Sequence, residues 1–85
     1  MEERIAIVGI IIENMDQTGK VNAVLHEYAN YIRGRMGIPQ VEEGVNVISI
    51  IVRAPQDKIS AMTGKLGEID DITCKAVYSK VKCVK

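Results

Sequence analysis

The 85-residue chain has no phenylalanine, no tryptophan, one histidine and two cysteines. Each scarcity removes a class of function. An iron–sulfur cluster takes four thiolates, twice what Cys74 and Cys83 supply. A zinc site built from those two cysteines and His26 has no ligand-spacing motif behind it, so no metal or other cofactor is expected. With one histidine there is no set of Ser-His-Asp partners to choose among. The 11 Lys and Arg are cancelled by 11 Asp and Glu, so the surplus of positive charge on which nucleic-acid binding leans is missing. No long hydrophobic run exists either. Ile5 to Ile12 is eight residues, short of the roughly 20 that a spanning helix needs. It follows Glu2, Glu3 and Arg4, the wrong charge for a signal peptide. A secreted domain this small would usually carry several disulfides. The expectation is a cytoplasmic protein with reduced thiols, no membrane partner and no direct nucleic-acid partner.

What is present is aliphatic and branched. The hydrophobic share is 47%, enough to build a core, and the length suits one domain over residues 1–85. Within that share stand 13 Ile and 10 Val against 2 Leu. Side chains branched at Cβ are stiff and pack well on a pleated sheet, which favours a β-containing fold over a helical bundle.

Arg4–Glu13 is almost continuously apolar, so both faces of a strand there are apolar and the strand belongs in the centre of a sheet. Asn14, Met15 and Asp16 break the run, and either Asp16 or Thr18 can cap the following helix. Val21, Val24, Leu25, Tyr28, Tyr31 and Ile32 recur at helical spacing, which predicts a helix ending near Arg33 with Gly34 as its stop. Arg35–Val41 contains Pro39, which cannot donate to a ladder, so it is an edge strand or an extended arm. After a turn at Glu42, Glu43 and Gly44, residues 45–54 alternate. Ile48, Ile50 and Val52 share one face, and Val45, Val47, Ser49 and Ile51 the other. Pro55 suits the first position of a second helix carrying Ile59, Met62 and Leu66, with Gly67 at its C-terminal end. Ile69–Ser79 is the last strand, and the Lys-rich tail extends it or frays.

That order, β-α-β-β-α-β, is the α+β ferredoxin-like split β-α-β: a four-stranded antiparallel sheet with two helices on one face. The name describes a fold and implies no cluster. Two helices cover one face only, yet the first strand is apolar on both. Gly9 would leave a hole beneath a packed helix, so Ala6, Val8, Ile10 and Ile12 are assigned to the core. Ile5, Ile7 and Ile11, joined by Val47, Ile51 and Val77, are left on the open face. Soluble monomers rarely keep such a patch, so the reading is a homo-oligomer interface, dimer or tetramer.

Other features read as structural. Gly64-Lys65-Leu66-Gly67 lacks the longer loop and the Lys-Ser/Thr ending of a P-loop, and it closes a helix where a phosphate cradle opens one. Gly64 inside the helix implies a close backbone approach. His26 is a surface or boundary residue, and Arg33, Arg35 and Arg53 could bind an anion, with solvated charge as the default reading. Acylphosphatases share the fold but place a glycine-rich anion loop with arginine directly after the first strand. Glu13-Asn14-Met15-Asp16 stands there instead and would repel phosphate. No catalytic residue is assigned, and an enzyme is not expected.

Several stretches together resemble one family. They are the Ile/Val-rich first strand ending in Glu13, Val24-Leu25-His26, Arg35-Met36-Gly37-Ile38-Pro39, Val47-Ile48, and above all Ser60-Ala61-Met62-Thr63-Gly64-Lys65-Leu66-Gly67 leading into Ile72-Thr73-Cys74-Lys75. The chain is similar over nearly its whole length to the small regulators of the iron-only hydrogenase system. The resemblance implies an ACT-like domain, related in shape to the C-terminal sensor domain of nickel-responsive repressors. Those repressors hold nickel with histidines on the second strand and a cysteine on the third. Here the second strand carries Arg35, Met36 and Ile38 and the third has no cysteine, so nickel sensing does not carry over. Nor does this chain have their DNA-binding arm. What remains implied is a non-catalytic regulatory or ligand-sensing module acting as a homo-oligomer through a ligand or another regulatory protein. The alternative is an assembly factor for hydrogenase maturation without a small-molecule ligand. ACT-like domains bind ligands near the turn after the first strand. Here that means Asn14, Asp16, Thr18 and Gly19, and Asp16 suits an amino-acid-like ligand better than a full anion.

Overall fold

Residues 2–84 are described by a computed structural model of the chain. Strand β1 (Glu2–Ile12) leads through a 3-10 turn into helix α1 (Thr18–Glu27). A second 3-10 turn joins α1 to β2 (Ile32–Glu42), then come β3 (Val45–Ala54), helix α2 (Gln56–Gly67) and β4 (Ile72–Val84). The four strands lie in the order β2-β3-β1-β4 and every neighbouring pair is antiparallel. The fold is therefore the expected ferredoxin-like one, with β1 and β3 central and β2 and β4 at the edges.

The core lies between the helices and one face of the sheet. Ala6, Val8, Ile10 and Ile12 of β1 are buried, as are Ile48, Ile50, Val52 and Ala54 of β3. Val21 and Leu25 of α1, and Ile59, Met62 and Leu66 of α2, close over them. Alternation alone determines this division, since neighbours along a strand point to opposite faces. The parity assigned from Gly9 is the one observed, and open space lies above that glycine on the other face.

Boundaries differ from the sequence reading in ways that have causes. Helix α1 stops at Glu27, well before Arg33. The Tyr28 N–H is shared between the Val24 and Leu25 carbonyls, and Tyr31 N–H donates to Tyr28 O, so the chain tightens into a 3-10 turn over Ala29–Tyr31. That turn still buries Tyr28, and Ile32 already pairs with Val52, which is why the apolar stripe read as uninterrupted helix. Gly34 is thus a residue of β2 and not a helix stop. Neither Asp16 nor Thr18 caps α1, which follows Gln17 without a side-chain cap bond; Asn14 caps the 3-10 turn before it, its Oδ1 accepting from the Asp16 N–H at 3.0 Å. Pro39 does lie on an edge strand, where the β2–β3 register shifts and Gln40 takes a positive φ of 54°. Strand β4 starts at Ile72, after a turn in which Asp71 has φ 64°, and it runs beyond Ser79 to Val84.

Gly67 lies inside α2, and the capping residue is Glu68 with right-handed φ and ψ. Neither Gly64 nor Gly67 is needed for space. A Cβ added at Gly64 meets nothing within 4 Å, which overturns the close approach inferred from sequence. Gly64→Ala should therefore stabilise the protein by about 0.5–1 kcal/mol, because alanine loses less backbone entropy in a helix interior. Urea unfolding at equal m-value reads this directly.

Candidate functional site

The turn after β1 is tied to the start of β4 at the same end of the sheet, where Ile12 pairs with Ile72. Asn14 Nδ2 donates to Asp71 Oδ2 at 3.2 Å, and Glu13 N–H donates to Asp71 O at 2.9 Å. Both ends of the Asn14 amide are thus engaged, one in the cap and one across to the α2–β4 turn. Asp16 and Gly19 are exposed, while Thr18 is half-buried. Of these four residues, Thr18 reaches a groove that runs between α1 and β2.

That groove has two compartments. The larger, of about 500 Å³, is lined by Asn22, Leu25, His26, Ala29, Ile32 and Arg35. The smaller, of about 200 Å³, continues past Arg35 to Thr18, Asn46 and the β2 backbone at Gly37. Arg35 pairs in register with core-facing Ile50 and so turns toward the helices, where its guanidinium donates to Asn22 Oδ1 at 2.7 Å. Sequence reasoning took solvated charge as the default for Arg35, with anion binding as the alternative. Alternation along β2 could have placed it on the helix side of the sheet, but the bond to Asn22 has no sequence signal.

The open face of the sheet is ordered in cross-strand rows, because directly opposed residues share a face. One row is Val77–Ile7–Ile51–Gly34, and another is Thr73–Ile11–Val47–Ile38. Between them lies Lys75–Gly9–Ser49–Met36, in which Gly9 makes a trough. Ile7, Ile51 and Val77 are 49%, 46% and 67% exposed, and Ile11 is exposed as well. Ile5 and Val47, also expected on this face, are half-buried. Met36 and Ile38 enlarge the patch, which sequence reasoning missed by treating their segment as an edge arm. A depression of about 180 Å³ between Ile5, Ile7 and Val77 marks the β-bulge where β1 and β4 slip register. The Glu3–Arg53 ion pair, 3.0 Å long and with Glu3 buried, fences the patch at the Ile5 end.

Three further basic residues are committed to structure. Lys65 Nζ reaches Glu27 Oε2 at 2.6 Å and sits 5.4 Å from the Tyr28 ring centroid, joining α2 to α1. The Glu27 carboxylate raises the Lys65 pKa above its ordinary value. Arg33 donates to Asn30 O. Arg4 donates to Ser79 O at 2.7 Å and lies against Tyr78. Among the described residues no group of three or more His, Cys, Asp and Glu could hold a metal ion. Cys74 lies half-buried on the helix side of β4, and burial pushes its thiol pKa up. Only the thiolate attacks a disulfide reagent. Cys74 should therefore react more slowly than Cys83 with such a reagent at mild alkaline pH, giving a two-phase time course that Cys83→Ser reduces to the slow phase.

Residues 4–76 match the model of a family described as "TM1266-like: Iron-only hydrogenase system regulator, putative". The chain belongs to this family. Among solved structures, the uncharacterized protein TM1266 from Thermotoga maritima is similar at 33% identity and a TM-score of 0.85, over 92% of this chain and 99% of that one. The ACT domain from GTP pyrophosphokinase of Chlorobium tepidum follows at 17% identity and 0.75, over 88% and 99% of the two chains. The PII-like nitrogen regulatory protein CPII from Thiomonas intermedia K12 superposes at 12% identity and 0.61, over 99% and 98%. These last two share the fold, which is ACT-like. No curated protein matches the chain. No helix among the described residues is long and apolar enough to cross a membrane.

Proposed function

We propose that this member of the TM1266-like family is a non-catalytic, cytoplasmic regulatory module of the iron-only hydrogenase system that works as a homo-oligomer and responds to a small ligand or to another regulatory protein. The observation that carries the reading is the row structure of the open sheet face. Ile7 with Ile51 and Val77, and Ile11 with Val47 and Ile38, form two apolar ridges on either side of the trough at Gly9. Rows on one face repeat about every 7 Å along a strand, so a ridge of one copy fits the trough of another. Soluble monomers rarely keep an apolar patch of this kind open, and a second copy is the cover this reading assigns to it. Direct action on nucleic acid is disfavoured by the balanced charge, so control passes through what the module binds.

One observation favours an assembly factor with no small ligand. The Asn14 amide is already satisfied by the Asp16 N–H and by Asp71, which closes the β1–α1 turn. A thermal-shift screen with amino acids, organic acids and nucleotides separates the two readings, since a ligand that binds only the folded state raises the midpoint by mass action. A reproducible, concentration-dependent rise is expected. If no compound shifts the midpoint at millimolar concentration, the assembly reading replaces the sensing one.

A further inference from the structure

We infer that the groove between α1 and β2 is a binding site for a small organic carboxylate with a short apolar body, its carboxylate held by Arg35. This deepens the ligand-responsive reading above and rests on it, but it moves the ligand from the β1–α1 turn to residues to which the resemblance assigns no ligand.

Four features of the groove support the assignment. Its floor is apolar, formed by Leu25, Ala29 and Ile32, so it offers room and dry contact for a branched aliphatic body. Its polar groups are basic or neutral: no Asp or Glu lines either compartment. Arg35 donates to Asn22 Oδ1 alone among the described residues, which leaves the rest of its planar fork of donors to a carboxylate. Thr18, at the far end of the smaller compartment, has an Oγ1 that is buried without a hydrogen-bond partner among the described residues. Buried polar atoms are as a rule hydrogen-bonded, so this hydroxyl is one that still lacks its partner.

Charge decides the class of ligand. One guanidinium faces an apolar floor, which matches a monoanion with a hydrocarbon part. A nucleotide would bring several phosphate charges to a single arginine, and an ammonium group would find no carboxylate among the lining residues. An ordinary amino acid therefore fits less well than the corresponding carboxylic or 2-oxo acid. Its apolar contacts fix it in the groove, and the Arg35 fork fixes its orientation.

The test is a titration of isotopically labelled protein followed by amide chemical shifts, with isovalerate, its neutral analogue isovaleramide, and inorganic phosphate as probes. Isovalerate should give saturable shifts at Asn22, Leu25, Ala29 and Arg35. Isovaleramide and phosphate should each bind at least about tenfold more weakly, for want of a charge-assisted contact or of an apolar body. Arg35→Gln should weaken isovalerate at least about tenfold with its spectrum otherwise folded, and Asn22→Ala should perturb the same site. Arg33→Gln, two residues along the strand and bonded to the Asn30 carbonyl, should leave binding unchanged. Shifts that stay linear with all probes, equal binding of acid and amide, or equal loss in the Arg33 and Arg35 variants would each overturn the site. Light scattering of the same samples reports the oligomer separately. A groove that fails while the oligomer persists refutes this assignment and leaves the regulatory homo-oligomer standing.

Discussion

Ile7→Asp should turn an assembly of at least twice the 9.4 kDa chain mass into monomer or aggregate in light scattering at micromolar concentration. Ile7 lies at the middle of the open face, opposed by Ile51 on one side and Val77 on the other. Fully burying an aliphatic side chain contributes roughly 1.5–3 kcal/mol, so covering a half-exposed one contributes about 1 kcal/mol. Several such residues on each of two copies offset the cost of association. A buried carboxylate without a partner costs several kcal/mol, and a two-fold axis introduces it twice. The dissociation constant should rise by at least about a thousandfold. Ile51→Glu should do the same from the neighbouring strand. Asn30→Asp is the control, because Asn30 is exposed on the 3-10 turn at the helix side. A wild-type chain that stays at 9.4 kDa in the high micromolar range refutes the interface.

How much of this was legible in the residues varies along the chain. The face of β1 was decided by one glycine, since alternation leaves two parities and Gly9 makes one of them a poor floor for a helix. The edge position of β2 was decided by Pro39. Helix ends were less legible, because Tyr28, Tyr31 and Ile32 keep helical spacing while the chain around them has already become a 3-10 turn and a strand. Hydrophobic period reports burial, and burial continued after the helix had stopped. The groove was the least legible part. It depends on Arg35 meeting Asn22 across 13 residues of sequence, and on Thr18 being turned inward, and both are set by how α1 seats against β2. The Gly-Lys-Leu-Gly stretch shows the reverse case. The resemblance leaned on it most, yet its lysine serves as a clamp between helices and its glycines fill no tight space.

Two adjacent substitutions should separate the core from the interface. Ile10→Ala removes a side chain that is fully buried, flanked in register by Ile48 and Cys74 beneath the helices. The expected loss is about 2–5 kcal/mol, because the lost transfer energy is joined by a cavity that rigid strands on both sides cannot close. For a domain whose whole stability is of order 5–10 kcal/mol, that unfolds a large part of the population on modest heating. Ile11→Ala, one residue on, removes a side chain that is 41% exposed on the open face. Within one subunit its effect should be under about 1 kcal/mol. The two losses should also respond differently to concentration. Dilution should leave the Ile10→Ala deficit unchanged, because the core belongs to a single chain. It should shrink the Ile11→Ala deficit, because that residue contributes only while a second copy covers it and association adds stability by mass action. Urea midpoints measured across a hundredfold range of protein concentration decide the matter. Equal deficits for the two variants would refute the parity of β1 on which both the core and the interface stand.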